Sequence, residues 1–173
     1  MNTFVLEIFD DELSACAFYT VRWDDQSINE TNRFFEKFNS DLKYTVYIQQ
    51  LAIFLFESIG TDHGARDELF NRFENEVMGL PVQGKVKIET VFYHYPEFPL
   101  RLYALRLSEQ LVILFNGGVK DGPTNQTSSL HMKWREACAF ARRIIEAIQN
   151  EEIIIDHENR TITCSGNLNE YLL

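Results

Sequence analysis

Residues 99–120 read PLRLYALRLSEQLVILFNGGVK, and this stretch decides the fold. Two runs rich in Leu, Val, Ile and Phe flank the polar segment 108–110, a short connection of the kind that joins neighbouring antiparallel strands. A Gly-Gly pair and Lys120 follow the second run. The pattern predicts a β-hairpin with strands over 99–107 and 111–117.

Three polar side chains of this hairpin are predicted to meet at one end of the sheet. Arg101 and Tyr103 are two residues apart and therefore share a strand face, whereas Arg106 points to the opposite face. Arg106 is also five residues along the strand, or about 16 Å away at about 3.3 Å per residue. Lys120 leaves the second strand just beyond the glycines, so we expect Arg101, Tyr103 and Lys120 to converge.

Such a trio suits cleavage of RNA without a metal ion. Arginine and lysine hold and neutralise a phosphate in the transition state, while a tyrosine hydroxyl can orient a group or exchange a proton. The alternative is that these residues are solvated charges and an amphipathic tyrosine on a half-buried sheet. Residue types alone leave both interpretations open.

The rest of the chain predicts an α+β fold, in which a mostly antiparallel β-sheet packs against helices. The runs 3–10 and 15–24 predict an N-terminal hairpin, and Ser27 with Glu30 matches a capping box at a helix start. Periodicity predicts helices near 28–39, 43–59, 66–78 and 130–149. It also predicts that strands within 85–95 and 152–164 join the hairpin in the sheet.

Charge is distributed unevenly over the 173 residues, whose net charge is −10. An acidic protein is a poor general binder of nucleic acid, but residues 85–149 carry nine basic against six acidic side chains. Residues 1–84 carry six against 15. We expect residues 1–84 to be an acidic elaboration of a hairpin and helices that packs with residues 85–173 as one unit. Its carboxylates, Asp24 and Asp25 among them, are expected to cover or border the basic end of the sheet.

Other functional classes find little support. The four histidines are scattered and no phosphate-binding glycine loop is present, so we predict neither a metal nor a cofactor. The three cysteines are far apart, which favours a reducing cytoplasm. The N-terminus lacks the pattern of a signal peptide, and Gln49, Gln50 and Glu57 interrupt the most apolar helix, so we expect no membrane association.

Four segments between about residues 68 and 150 resemble the RelE/HigB-like toxin superfamily of bacterial toxin–antitoxin systems. They are LFNRFENEVMGLP, PLRLYALRL, LVILFNGGVK and EACAFARRIIEAI. Members of that superfamily place a helical hairpin before a sheet, followed by two such strands, a polar loop and an alanine-rich helix.

The resemblance implies that residues 85–173 form a RelE-like core with the activity of an mRNA endonuclease that an antitoxin protein controls. Its substrate would be mRNA, free or on the ribosome. Carried over by position, Arg101 and Lys120 are the phosphate-handling residues, and Tyr103 lies near the family's tyrosine. The alternative is a non-catalytic protein-interaction module built on the same scaffold.

Overall fold

The hairpin of residues 99–120 lies inside the main sheet of the protein. The computed structural model of the chain describes residues 2–120, 129–164 and 170–172. Strands β7 (Leu100–Ser108) and β8 (Leu111–Val119) pair antiparallel across the turn at Glu109 and Gln110. The predicted hairpin is therefore confirmed.

The main sheet has seven strands in the order β11-β1-β2-β8-β7-β4-β3. All its neighbours are antiparallel except β2 and β8, which run parallel from Ala17 opposite Leu111 to Thr20 opposite Leu114. The remaining strands of this sheet are β1 (Thr3–Asp10), β2 (Ala17–Trp23), β3 (Phe73–Glu74), β4 (Val77–Leu80) and β11 (Glu170–Leu172). A mostly antiparallel sheet was expected, and the structure contains one.

Strands from both sides of residue 84 share this sheet. The predicted N-terminal hairpin forms as β1 and β2, and β2 contacts β8 directly. On the other side of the central hairpin, β4 pairs with β7 from Met78 opposite Ala104 to Leu80 opposite Leu102. The β7–β8 hairpin is thus flanked on both sides by strands of residues 1–84.

Three of the four predicted helices form. Helix α1 spans Glu30–Asn39 and is capped by the side chain of Asn29, two residues after Ser27, the predicted cap. Helix α2 spans Thr45–Ile53 and continues as a π-helix over Phe54–His63. Helix α3 spans Ser129–Gln149.

The predicted helix at 66–78 is wrong. A short 3₁₀ turn covers Asp67–Leu69, and the segment then turns at Asn75, which has a left-handed backbone with φ 64°, between β3 and β4. The apolar spacing that resembled a helix places Leu69 and Phe70 in the core and leaves Phe73 71% exposed. Hydrogen bonding of β4 to the edge of β7 overrides the local preference for a helix.

Two predicted strand regions form strands but do not join the main sheet. Strands β5 (Lys85–Ile88) and β6 (Val91–His94) make a separate two-stranded sheet, as do β9 (Ile153–Asp156) and β10 (Thr161–Cys164). The edge of β7 is occupied by β4, and that of β1 by β11. The expectation that 85–95 and 152–164 belong to the main sheet is therefore wrong.

The main sheet has an apolar core on each face. Alternate residues of β7 divide between them: Leu100, Leu102 and Ala104 belong to the core beneath α1, α2 and the π-helix. Tyr103 and Leu105 belong to the core beneath α3. Because both faces are covered, β7 and β8 consist largely of apolar residues without a polar alternation. Within the described residues, no helix is long and apolar enough to cross a membrane.

Candidate functional site

A cleft of about 600 Å³ lies at the end of the main sheet where β8 finishes. Arg72, Arg101 and Lys120 all line it. Arg101 pairs with Gly118 across the central hairpin, and the Lys120 amide donates to the carbonyl of Pro99 at 2.8 Å. The structure thus brings Arg101 and Lys120 to the same cleft, as predicted. We call this the basic cleft.

Close packing of the two central strands holds Arg101 in place. A Cβ atom at Gly117 would lie 1.9 Å from the Arg101 carbonyl oxygen, so only glycine allows the strands to approach this closely. The Arg101 side chain is 5% exposed, and its Nη1 donates to the carbonyls of Phe98 at 3.1 Å and Leu100 at 2.9 Å. Its guanidinium is consequently a positioned charge at the base of the cleft.

The three cations repel one another. Burial, together with the smaller effect of the neighbouring Arg72 charge, lowers the pKa of Arg101 to about 10. Burial also lowers the pKa of Lys120, and Arg101 and Arg72 add to that shift. Glu74 is the carboxylate that acts in the opposite direction on all three cations. An anion bound in the cleft would relieve this repulsion, since an opposite charge favours the protonated form of each cation.

Aromatic and imidazole side chains form another part of the cleft. His94, Tyr95 and Phe98 line it, and His94 is exposed to solvent. The Tyr95 ring packs edge-on against Phe54 and Phe98, and burial raises its pKa to about 12. Tyr95 is therefore a neutral phenol at physiological pH, and His94 is the imidazole among the residues that line the cleft.

Tyr103 does not reach the basic cleft. It is fully buried in the core beneath α3, opposite Gly79 of β4, and burial raises its pKa above the ordinary tyrosine value. Its hydroxyl has no hydrogen-bond partner among the described residues. Alternation correctly put Tyr103 on the face of Arg101, but β4 and α3 cover that face at the tyrosine. The structure therefore provides no contact through which Tyr103 would touch a substrate.

Arg106 lies apart from the cleft, as predicted. It donates to the carbonyl of Ala65 and forms an ion pair of 2.9 Å with Asp67.

Arg72 and His94 are cleft residues that sequence reasoning missed. Arg72 falls within the predicted helix at 66–78, and the β3–β4 turn instead brings it to the start of β7. Its Nε donates to the Pro81 carbonyl at 3.5 Å. His94 ends β6. The alternation in KVKIETVFYHY was a usable signal for His94, because it places this histidine on the same strand face as Phe92.

The acidic N-terminal part meets the basic cleft, but not through the expected residues. Asp24 and Asp25 line a different cleft, of about 450 Å³, together with Arg33 and Glu136. The residues before position 85 that line the basic cleft are Arg72, Gln83 and Gly84. The expectation that Asp24 and Asp25 screen the basic site is not supported by this arrangement.

A buried polar cluster joins α1, β8 and α3. Asn116 of β8 donates through Nδ2 to Glu136 of α3, and Glu30 of α1 is 1% exposed beside them. Burial raises the pKa of Glu136, and Lys133 lowers it, whereas the carboxyl of Glu30 raises it further. The cluster ties both helices to the strand that leads to Lys120.

Comparison with known proteins finds no matching family model, no matching curated protein and no matching solved structure. Among the described residues, no group of three or more His, Cys, Asp and Glu side chains is arranged to hold a metal ion. What the basic cleft does is therefore inferred from its own side chains.

Proposed function

We propose that the basic cleft binds the phosphodiester backbone of RNA and that the protein is a RelE/HigB-like mRNA endonuclease, the toxin of a toxin–antitoxin system. The observation that carries this proposal is the convergence of Arg72, Arg101 and Lys120 on one cleft in a chain of net charge −10. Placing the buried guanidinium of Arg101 next to two further cations is costly, and an anionic ligand offsets that cost.

The cleft contains cations and an imidazole that suit metal-independent RNA cleavage. In that reaction the ribose 2′-hydroxyl loses a proton to a base and attacks phosphorus, and the bond to the 5′-oxygen breaks as that oxygen gains a proton. The products are a 2′,3′-cyclic phosphate and a 5′-hydroxyl. Arg101 and Lys120 would neutralise the charge that develops on the phosphoryl oxygens, and His94 would carry one of the two proton transfers and a solvent water the other. Tyr103 takes no part in this scheme.

The resemblance to RelE/HigB-like toxins supports the same proposal. The central hairpin, the lysine after its second strand and the long helix α3 occur in the order found in that superfamily. An antitoxin protein would then bind over the cleft and neutralise the activity by covering its cations.

A second candidate is a non-catalytic interaction module on the same scaffold. It is favoured by the burial of Tyr103 and by Arg101, whose Nη1 already donates to two backbone carbonyls. It is also favoured by residues 66–78, which are helical in the superfamily and form a turn and two strands in this chain. A module of this kind would use the basic cleft to bind acidic side chains of a protein partner.

Expression in a bacterial host separates the two candidates. We expect wild type to arrest growth and to cleave a 5′-labelled mRNA in vitro with a cyclic phosphate at the new 3′ end. Lys120→Ala should remove both effects, and because Lys120 is exposed, this variant should fold. The matched control is Lys43→Ala, which removes an exposed lysine two residues before α2. Wild type that neither arrests growth nor cleaves RNA would overturn the endonuclease proposal.

A further inference from the structure

The β5–β6 hairpin has an outward face of unusual composition. Lys85 pairs opposite His94, and Lys87 pairs opposite Phe92, so these four exposed side chains occupy one face of the two-stranded sheet. The opposite face turns inward, where Ile88 and Tyr93 are buried in the core. We call the face of Lys85, Lys87, Phe92 and His94 the hairpin face.

Phe92 is an exposed phenylalanine, and the ammonium groups of both lysines lie over its ring. It is 57% exposed, and the Nζ atoms of Lys85 and Lys87 lie 4.7 and 5.4 Å from the ring centroid. The Phe92 ring adds little to folding stability, because more than half of the residue's surface remains in contact with solvent. If the two exposed lysines turn from the ring to neighbouring phosphates, the ring becomes a flat apolar surface on which a nucleic-acid base can stack.

The hairpin face continues into the basic cleft. His94 belongs to both, and Gln83 and Gly84, which line the cleft, immediately precede Lys85. This surface is therefore bordered by five cations, Arg72, Lys85, Lys87, Arg101 and Lys120, and by the carboxylate of Glu97, which also lines the cleft. A surface rich in positive charge is complementary to a polyanion. In a protein of net charge −10, five cations on one surface point to an anionic ligand there.

We propose that the hairpin face is a stacking platform for single-stranded RNA, with one base on the Phe92 ring and the adjoining phosphates on Lys85, Lys87 and the basic cleft. This inference rests on the proposed function of the cleft and specifies its substrate as single-stranded. Bases within a duplex are stacked on each other and present no free face to a side chain. A single ring with two lysines over it also lacks the wide apolar surface that would bind an amphipathic helix.

Binding of labelled oligonucleotides tests the platform. The probe is a 12-nucleotide 2′-O-methyl RNA, which stacks normally but lacks the nucleophile needed for cleavage, and the reference ligand is inorganic polyphosphate, which has charge but no bases. We expect Phe92→Ala and Phe92→Leu to weaken RNA binding by roughly 5- to 150-fold, the range for losing one stacked base. Phe92→Trp should retain binding. Polyphosphate binding should be unchanged by all three substitutions.

Matched controls come from the same chain. Phe73→Ala removes another exposed phenylalanine, and Lys37→Gln with Lys43→Gln removes two lysines that also lie over aromatic rings. These variants should leave RNA binding within about twofold of wild type, whereas Lys85→Gln with Lys87→Gln should weaken both RNA and polyphosphate.

The outcomes distinguish the platform from the cleft. If Lys120→Ala weakens RNA binding and the Phe92 variants do not, the platform is overturned and the cleft proposal stands. Equal losses of RNA and polyphosphate in Phe92→Ala also overturn stacking, as does tighter binding of duplex RNA or of an acidic peptide. If wild type binds neither ligand, the proposed function falls and the platform with it.

Discussion

Two β-hairpins of the protein, β7–β8 inside the main sheet and β5–β6 outside it, differ in how their faces are covered. In β7–β8, every residue from Leu100 to Leu105 and from Leu111 to Gly118 is buried. In β5–β6, exposed lysines alternate with inward-facing Val86 and Ile88. A continuous apolar run forms where both faces of a strand are covered, and a strict alternation forms where one face meets water.

The cations of the two hairpins differ in the same way. Arg101 of the central hairpin is buried and hydrogen-bonded to two carbonyls, so its charge is fixed relative to the sheet. Lys85 and Lys87 of the peripheral hairpin are exposed and contact an exposed ring. The central hairpin thus carries a buried charge held by the backbone, whereas the peripheral hairpin carries exposed charges that contact only a ring.

Removal of one aromatic ring from each hairpin gives the largest contrast. Phe115 is fully buried and stacks on Phe140, with the two ring centroids 5.9 Å apart. Phe115→Ala should therefore lower the free energy of unfolding by about 3–5 kcal/mol. Phe92→Ala should lower it by less than about 1 kcal/mol, since the ring is largely exposed. Urea denaturation followed by circular dichroism measures both values. Similar losses in the two variants would contradict the assignment of one hairpin to the core and the other to the surface.

Glycine substitutions test backbone packing in the same comparison. Gly117→Ala forces a Cβ against the Arg101 carbonyl, and we expect it to destabilise the protein by up to about 3 kcal/mol. Gly84 precedes β5 with φ 72° and open space around it, so Gly84→Ala should cost only the strain of the left-handed backbone, about 1 kcal/mol. The loss of stability in each variant is measured by thermal unfolding. A harmless Gly117→Ala would show that the central strands have room to separate.

Tyrosine-to-phenylalanine substitutions distinguish buried from cleft-lining hydroxyls. Tyr103→Phe removes a buried hydroxyl that lacks a partner among the described residues, so stability should rise by about 1 kcal/mol. RNA cleavage and RNA binding should be unchanged in this variant. Tyr95→Phe, in the cleft, should leave stability nearly unaffected. A large loss of cleavage in Tyr103→Phe would restore the catalytic role that the sequence suggested for this residue.

Glu136→Gln is expected to have the smallest effect, and its sign depends on pH. Burial raises the pKa of Glu136, so the folded state favours the protonated carboxyl. The contribution of this carboxyl to the free energy of unfolding is fully present below its pKa in the unfolded chain. It is lost as the pH rises through its pKa in the folded protein. Gln resembles the protonated form and keeps an acceptor for Asn116. The variant should therefore be more stable than wild type at pH 7 and equal to it near pH 4. An advantage that is the same at both pH values would exclude titration of this carboxyl as its cause.

The parts of the fold that could be predicted are those encoded by local pattern. The central hairpin followed from two apolar runs around a polar turn, and α3 followed from its amphipathic period. The helix expected at 66–78 failed because the spacing of Leu69, Phe73 and Val77 fits a helix as well as it fits a turn and two short strands. No local feature of that segment reveals that the edge of β7 is free to pair with it.

The candidate site shows the same division. The convergence of Arg101 and Lys120 followed from strand register alone, because residues at the two ends of one hairpin are paired by its turn. The contribution of Arg72 depends on the placement of the β3–β4 turn, which the sequence did not predict.

The sequence by itself determined the α+β class, the central hairpin and the position of its two cations, since these depend on residues that are close along the chain. Only the tertiary structure decided which segments occupy the edges of the main sheet, that Tyr103 is buried, and that Arg72 and His94 line the basic cleft. The physical reason is that a strand's unpaired edge and a sheet's uncovered face accept any segment of suitable shape and hydrogen bonding. The choice among those segments depends on contacts between residues far apart in the chain.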